Sequence, residues 1–113
     1  MRKYIRFRKN KYNAKRSKCN LGHHHPSIIE GQYCNQLQML KKDGAIKDFE
    51  YEKKFELRVN DVLIATHYPD FYVTNQNDEK EIHEVKGMEA QLWNIKRRLF
   101  EVLYPDIPYI VIK

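Results

Sequence analysis

Two β-prone runs joined by a polar turn constrain this chain more than any other feature. Tyr68-Pro69-Asp70-Phe71-Tyr72-Val73-Thr74 leads into the turn-forming residues Asn75 to Lys80, and Glu81-Ile82-His83-Glu84-Val85-Lys86-Gly87 follows. Aromatic and β-branched residues around an Asn/Gln/Asp-rich connection spell an antiparallel hairpin. Successive side chains on a strand point to opposite faces, so Glu84 and Lys86 share one face and Val85 takes the other. Asp70 opens the partner strand, and closing the hairpin brings it near Glu84. The expected product is two carboxylates and one ammonium at the end of a small sheet. One reading of these residues is a solvated hairpin with a Glu-x-Lys charge pattern. The chemical reading is that the carboxylates repel each other and gain from a shared divalent cation, for which hard oxygen ligands suit Mg²⁺ or Mn²⁺. A lysine beside the metal could orient an attacking water, which suits phosphodiester hydrolysis.

Helical and extended patterns flank the hairpin. Ser27-Ile28-Ile29-Glu30 fits a capping box with Ser27 as N-cap. Ile29, Tyr33, Leu37 and Leu40 then recur at helical spacing, and Gly44 supplies a stop. From Ile46 to Val59 the apolar residues Phe49, Tyr51, Phe55, Leu57 and Val59 alternate with charges, the period of a strand. After a turn at Asn60-Asp61, Val62 to Val73 reads as one long strand, with Leu63, Ala65, Pro69, Phe71 and Val73 facing the helices. His67 shares that phase and reads as a core or rim histidine, while His83 is out of phase with Glu84 and Lys86. A second helix is expected from about Met88 to Tyr104, with Leu92, Ile95, Leu99, Val102 and Leu103 as its core stripe. Gln91 and Lys96 are its candidates to face a substrate. Pro105 ends it, and Ile107 to Ile112 is a final apolar strand with Pro108 near its opening. Composition and periodicity together indicate an α/β layer.

Charge and thiol placement set the N-terminal part apart. Nine Lys/Arg precede the first acid, Glu30, and from there on twelve basic residues face fifteen acidic ones. Arg2, Lys3, Arg6, Arg8, Lys9, Lys11, Lys15, Arg16 and Lys18 therefore form a basic arm suited to phosphates, with Tyr4, Phe7 and Tyr12 interleaved; a solvated tail is the alternative. Cys19, His23, His25 and Cys34 supply the number and kind of ligands that a tetrahedral zinc site needs. Such a zinc would clamp the arm to the first helix. A histidine-rich loop with unrelated thiols is the other reading. The division expected is a basic arm and Cys/His loop over 1–26 and a single domain over 27–113. No apolar run approaches membrane-spanning length and no signal-peptide pattern appears, so a cytoplasmic location without membrane attachment is expected.

Pro69-Asp70, a thirteen-residue gap and Glu84-Val85-Lys86 resemble the signature of the PD-(D/E)XK nuclease superfamily. Further segments resemble a family of small phage-type proteins placed in that superfamily: Lys11-Tyr12-Asn13-Ala14-Lys15, Ser27-Ile28-Ile29-Glu30, Gly44-Ala45-Ile46-Lys47-Asp48, Lys54-Phe55-Glu56-Leu57 and the run from Lys96 to Pro105. The resemblance implies a restriction-endonuclease-like core, α-β-β-β-α-β, with a central mixed sheet flanked by helices. It implies a Mg²⁺- or Mn²⁺-dependent endonuclease acting on DNA. Asp70 and Glu84, joined by Glu30 and the Val85 carbonyl, would bind the metal, and Lys86 would position the water. Relatives of this kind suggest branched DNA and junctions as substrate and a homodimer making paired cuts. A zinc-braced nucleic-acid-binding module without catalysis is the competing reading.

Overall fold

Ser27 starts the first helix as its sequence requires. In the computed structural model, which describes residues 2–5, 17–25 and 27–113, Ser27 is extended at φ −144° and its Oγ accepts the Glu30 N–H at 3.1 Å. Helix α1 then runs Ile28–Lys42 and buries Glu30, Gly31, Tyr33, Cys34 and Leu37. Asp43 caps its end and Gly44 follows at φ +80°. The basic arm contributes β1, Arg2–Ile5. Ser17–Lys18 (β2) and His24–His25 (β3) form a short antiparallel pair packed on α1. The phosphate contacts expected of Arg6, Arg8, Lys9, Lys11, Lys15 and Arg16 concern residues outside those described.

The strands after α1 are β4 (Ile46–Tyr51), β5 (Phe55–Val59), β6 (Val62–His67), β7 (Phe71–Asn75) and β8 (Lys80–Val85). After α2, Gln91–Leu103, comes β9, Tyr109–Ile112. The two long strands expected over 46–59 and 62–73 are each broken. β4 pairs with β7 and β5 with β6, so one long hairpin bends in the middle. Glu52 sits at φ +54° on one side of the bend, and its N–H is bonded to the Asp70 carbonyl at 2.9 Å. Pro69, fully buried, lies on the other side. A proline has no N–H for a ladder, so the strand stops there and resumes at Phe71. The outer half of the hairpin leaves the sheet. Its tip, Asn60 and Asp61 with φ +50° and +66°, is a two-residue turn with both central residues left-handed. Leu63, expected inward, is 46% exposed there, because the outer hairpin has a covered side only where it meets α2, and Leu63 lies towards the tip.

The inner strands make a five-stranded mixed sheet in the order β1-β9-β8-β7-β4. β9 lies parallel to both β1 and β8, and the other neighbours are antiparallel. All four residues of β9 are buried, as a parallel strand covered on both faces requires. Ile110 and Ile112 face the α1 layer with Tyr33, Cys34, Leu37, Phe71 and Val73. Tyr109 and Val111 face the α2 layer with Phe55, Leu57, Ile82, Trp93 and Phe100. The protein is thus α/β, a mixed sheet between two helices.

Helix α2 differs from its expected orientation. It starts at Gln91, and its buried residues are Trp93, Arg97 and Phe100. Leu92, Ile95 and Val102 are 65%, 55% and 74% exposed, while Leu99 and Leu103 pack partly against the core. The aromatic stripe is buried in place of the aliphatic one because Trp and Phe remove more apolar area from water per residue. Arg97 accompanies it by lying over the Trp93 ring and bonding to Glu101 and Asn94. Among the described residues no helix is long and apolar enough to cross a membrane.

Candidate functional site

The bend in the long hairpin places Asp70 at the end of the sheet, beside β8. Its Oδ2 accepts the Val85 N–H at 2.9 Å. Glu84, only 3% exposed, points to the α2 side, where its Oε1 accepts the Tyr109 hydroxyl at 2.6 Å. Burial, then the charges of Glu84 and Glu30, push the Asp70 carboxyl well above its usual range. Burial also raises Glu84, opposed by the Tyr109 hydrogen bond, by Asp70 and by the Lys86 charge. Two carboxyls this close share a proton when no cation joins them. Lys86 follows directly, half-buried, with its Nζ 5.1 Å from the centre of the Trp93 ring. The Trp93 indole N–H lies close to Glu84 and helps hold its carboxyl down without closing a full hydrogen bond.

Glu30 reaches the same neighbourhood from α1. The capping box is half made: Ser27 caps the helix, but the Glu30 carboxylate turns away from the Ser27 backbone. Its Oε2 meets His25 Nδ1 at 2.6 Å and accepts the Tyr51 hydroxyl at 2.9 Å. Glu30 is 3% exposed, and its charge is one of the causes that raise Asp70. The structure therefore brings Asp70, Glu84, Lys86 and Glu30 together from a hairpin bend, a strand end and a helix start. Val85 takes part through the N–H that holds Asp70. Lys96 is half-buried on α2 and its charge reaches His67, whereas Gln91 and Lys18 are exposed. Arg2 and Lys3 lie on the sheet-edge strand β1.

Tyr109 and Trp93 escape a reading of local sequence, while His67 is the buried histidine that its strand phase indicates. Tyr109, Trp93 and His67 form its floor. His67 Nε2 is 2.8 Å from the Tyr109 hydroxyl, and that hydroxyl donates to Glu84. The tyrosine oxygen therefore accepts from His67, which places the imidazole proton on Nε2. His83 faces the other layer, bonded to Tyr33 and Glu81.

Burial, then the Lys96 and Lys86 charges, lower the His67 pKa to about 4. An imidazole neutral in the fold but protonated when unfolded contributes stability above its unfolded pKa of about 6.5 and loses it as pH falls towards 4. Wild type should lose up to about 3 kcal/mol relative to His67→Gln across that window. The difference between their urea midpoints, measured from pH 7 to pH 4, checks this, and a pH-independent difference would refute it.

Cys19, His23, His25 and Cys34 form a second cluster against α1, with one ligand atom of each within 4.8 Å of every other. Such a group could hold a metal ion such as zinc. Burial raises the Cys19 thiol, but the neighbouring His25 imidazole, the Cys34 thiol and nearby backbone groups outweigh it and bring the pKa down to about 7. Burial pushes Cys34 up to about 12, with Cys19 adding to the effect.

Fold and site together define a mixed α/β protein with a carboxylate–lysine constellation at one sheet end and a Cys/His cluster beside it. The family described as protein of unknown function (DUF1064) matches residues 9–113, and the chain belongs to that family. No curated protein and no solved structure matches it.

Proposed function

We propose that the protein is a divalent-metal-dependent endonuclease of the PD-(D/E)XK superfamily that hydrolyses DNA phosphodiester bonds. The observation that carries this reading is the juxtaposition of Asp70, Glu84 and Lys86. Two acids and a lysine meet at one sheet end, with the Asp70 carboxyl raised by burial and by the Glu84 charge, an arrangement that a divalent cation would relieve. The chain order supports it as well: α1, a bent hairpin, β8, α2 and a parallel β9 fit a restriction-endonuclease-like core.

Asp70 and Glu84 would hold Mg²⁺ or Mn²⁺, with the Val85 carbonyl and Glu30 completing the oxygen ligands. The raised carboxyls fit that role, since a cation removes the strain that keeps them protonated. When bound, the ion supplies charge neutralisation at the phosphate and lowers the pKa of a coordinated water. Lys86, held over Trp93, directs its ammonium to the attacking water and to the developing oxyanion. Tyr109 fixes one Glu84 oxygen and leaves the other for the metal. Lys96, Lys18 and the arm cations, from Arg2 onward, hold the DNA backbone. So small a surface favours recognition of branched or junction DNA by shape over a long base sequence, and a homodimer would make paired cuts. Such an enzyme would work in the cytoplasm, that of the host if a phage encodes it.

The Cys/His cluster favours a second reading, a nucleic-acid-binding module braced by a structural zinc and lacking catalysis. Cleavage separates the two. Supercoiled plasmid, linear duplex, single strand and a four-way junction should be incubated with and without added Mg²⁺ or Mn²⁺. Metal-dependent cutting is expected, and Lys86→Ala should slow it by about 10³-fold while DNA binding persists. Folded, DNA-binding protein that cuts none of these substrates would leave the binding module as the function.

A further inference from the structure

Cys19 and His23 lie on one tight turn. The Cys19 N–H is bonded to the His23 carbonyl at 3.0 Å and the Gly22 N–H to the Cys19 carbonyl at 2.9 Å, with Gly22 at φ +87°. The turn opens where β2 ends, and β3 returns His25 to the same spot. Cys34 comes from the second turn of α1. Cys19 is 5% exposed, and His25 and Cys34 are fully buried. His23 Nδ1 is 3.6 Å from Cys34 Sγ, and the His23 ring stacks on Tyr51 at 5.0 Å. Ligand atoms around a tetrahedral zinc stand about 3.3–3.8 Å apart, given bonds of about 2.0–2.3 Å, so only a small contraction separates this cluster from a closed S₂N₂ site.

His25 carries the argument. Its Nδ1 is engaged by Glu30, yet its Nε2 is buried and has no hydrogen-bond partner. A buried polar atom without a partner is costly and calls for an explanation. Ligation through Nε2 supplies one, because a metal-bound imidazole commonly donates its other N–H to a carboxylate. Here that carboxylate is Glu30, which also accepts from Tyr51, the strand partner of Phe71 and the residue before Glu52, whose N–H is bonded to the Asp70 carbonyl.

We infer that Cys19, His23, His25 and Cys34 bind one Zn²⁺ and that Glu30, hydrogen-bonded to the ligand His25, couples this zinc to the Asp70–Glu84 site. Zinc occupancy orients the imidazole, the imidazole and Tyr51 hold the Glu30 carboxylate, and Glu30 is thereby kept beside Asp70. Glu30 acts as a positioning residue on the zinc side. Its part on the Asp70 side rests on the divalent-metal site of the nuclease reading, not on DNA cleavage; the zinc centre itself rests on neither.

Metal analysis of protein purified under reducing conditions should give one zinc per chain. Replacement by Co²⁺ should give the intense visible bands of tetrahedral cobalt with thiolate-to-cobalt charge transfer in the near ultraviolet. Absence of zinc together with an octahedral Co²⁺ spectrum, or a Cys19–Cys34 disulfide in its place, would overturn the site. Cys34→Ser should abolish the charge-transfer intensity of one thiolate, and, should that variant fail to fold, the wild-type spectrum still decides. Glu30→Gln should keep the tetrahedral spectrum and weaken zinc affinity by about 10–100-fold in chelator competition. Unchanged affinity would overturn the coupling and leave the zinc intact. Mn²⁺ affinity, read by electron paramagnetic resonance, should fall several-fold in protein stripped of zinc and recover on adding it back. Equal Mn²⁺ affinity with and without zinc would refute the link to Asp70. A zinc-linked Mn²⁺ site in protein that cuts no DNA would sustain this inference and overturn only the nuclease.

Discussion

Asp70→Asn should abolish cleavage and at the same time stabilise the metal-free protein. The activity loss is expected at about 10³-fold or more, equal to about 4 kcal/mol of barrier, because on the nuclease proposal a ligand charge to the metal disappears. The stability gain has a separate cause. Burial and the charges of Glu84 and Glu30 raise the Asp70 carboxyl, so the ionised form strains the fold. A group whose folded pKa lies above its unfolded value favours the native state at low pH and loses that contribution as pH rises through the folded pKa. The asparagine amide carries no charge, keeps an oxygen for the Val85 N–H and can donate to Glu84. The advantage over wild type should therefore be greatest at neutral and higher pH and shrink on acidification. Added Mn²⁺ should narrow the gap. At ten times its dissociation constant it would stabilise wild type by about 1.4 kcal/mol and leave the variant unmoved. Thermal melts of both proteins with and without Mn²⁺ read all of this. A variant less stable than wild type in the absence of metal, or one that still responds to Mn²⁺, would show that Asp70 is held as a structural carboxylate.

The residues that carry this prediction differ in how far local sequence exposes them. Asp70 and Glu84 are legible because an antiparallel hairpin pairs near neighbours, and the register Phe71 with His83 follows from the turn between them. The Cys/His group is legible as a ligand inventory, but its closure depends on β2 pairing with β3 and on both resting against α1. Tyr109 is a different case. It reaches Glu84 only because β9 returns parallel to β8 after the α2 crossover, and nothing in the run Tyr109-Ile110-Val111-Ile112 records that register. Trp93 and Tyr51 are remote in the same way. The bend between β6 and β7 is another matter, because its signal is present: Pro69 interrupts a strand pattern that a period of two carries straight across. A buried proline cannot sustain a ladder, and the break it forces is what turns Asp70 to the sheet end.

Phe100→Ala should cost about 3–5 kcal/mol, the largest loss of stability expected from a single side chain on α2. That helix carries two stripes of helical spacing, Leu92-Ile95-Leu99-Val102 and Trp93-Arg97-Phe100-Tyr104, and periodicity alone cannot rank them. Partners rank them. Phe100 is fully buried between three elements, meeting Phe55 at 5.0 Å edge-on, Tyr109 at 5.5 Å and Tyr104 at 4.8 Å between ring centres. Truncation would leave a cavity where the outer hairpin, α2 and β9 join, with rigid rings around it that collapse poorly. Leu92→Ala, by contrast, removes a side chain 65% exposed and should change stability by less than about 0.5 kcal/mol. Chemical denaturation of both variants checks the ranking, and comparable losses would mean that α2 is turned with Leu92 inward. The Phe100 ring also backs Tyr109, whose hydroxyl holds Glu84. Under conditions where Phe100→Ala remains folded, its cleavage rate should therefore fall, while that of Leu92→Ala should not. Packing lost within the α2 layer would reach the Glu84 carboxylate through a single tyrosine.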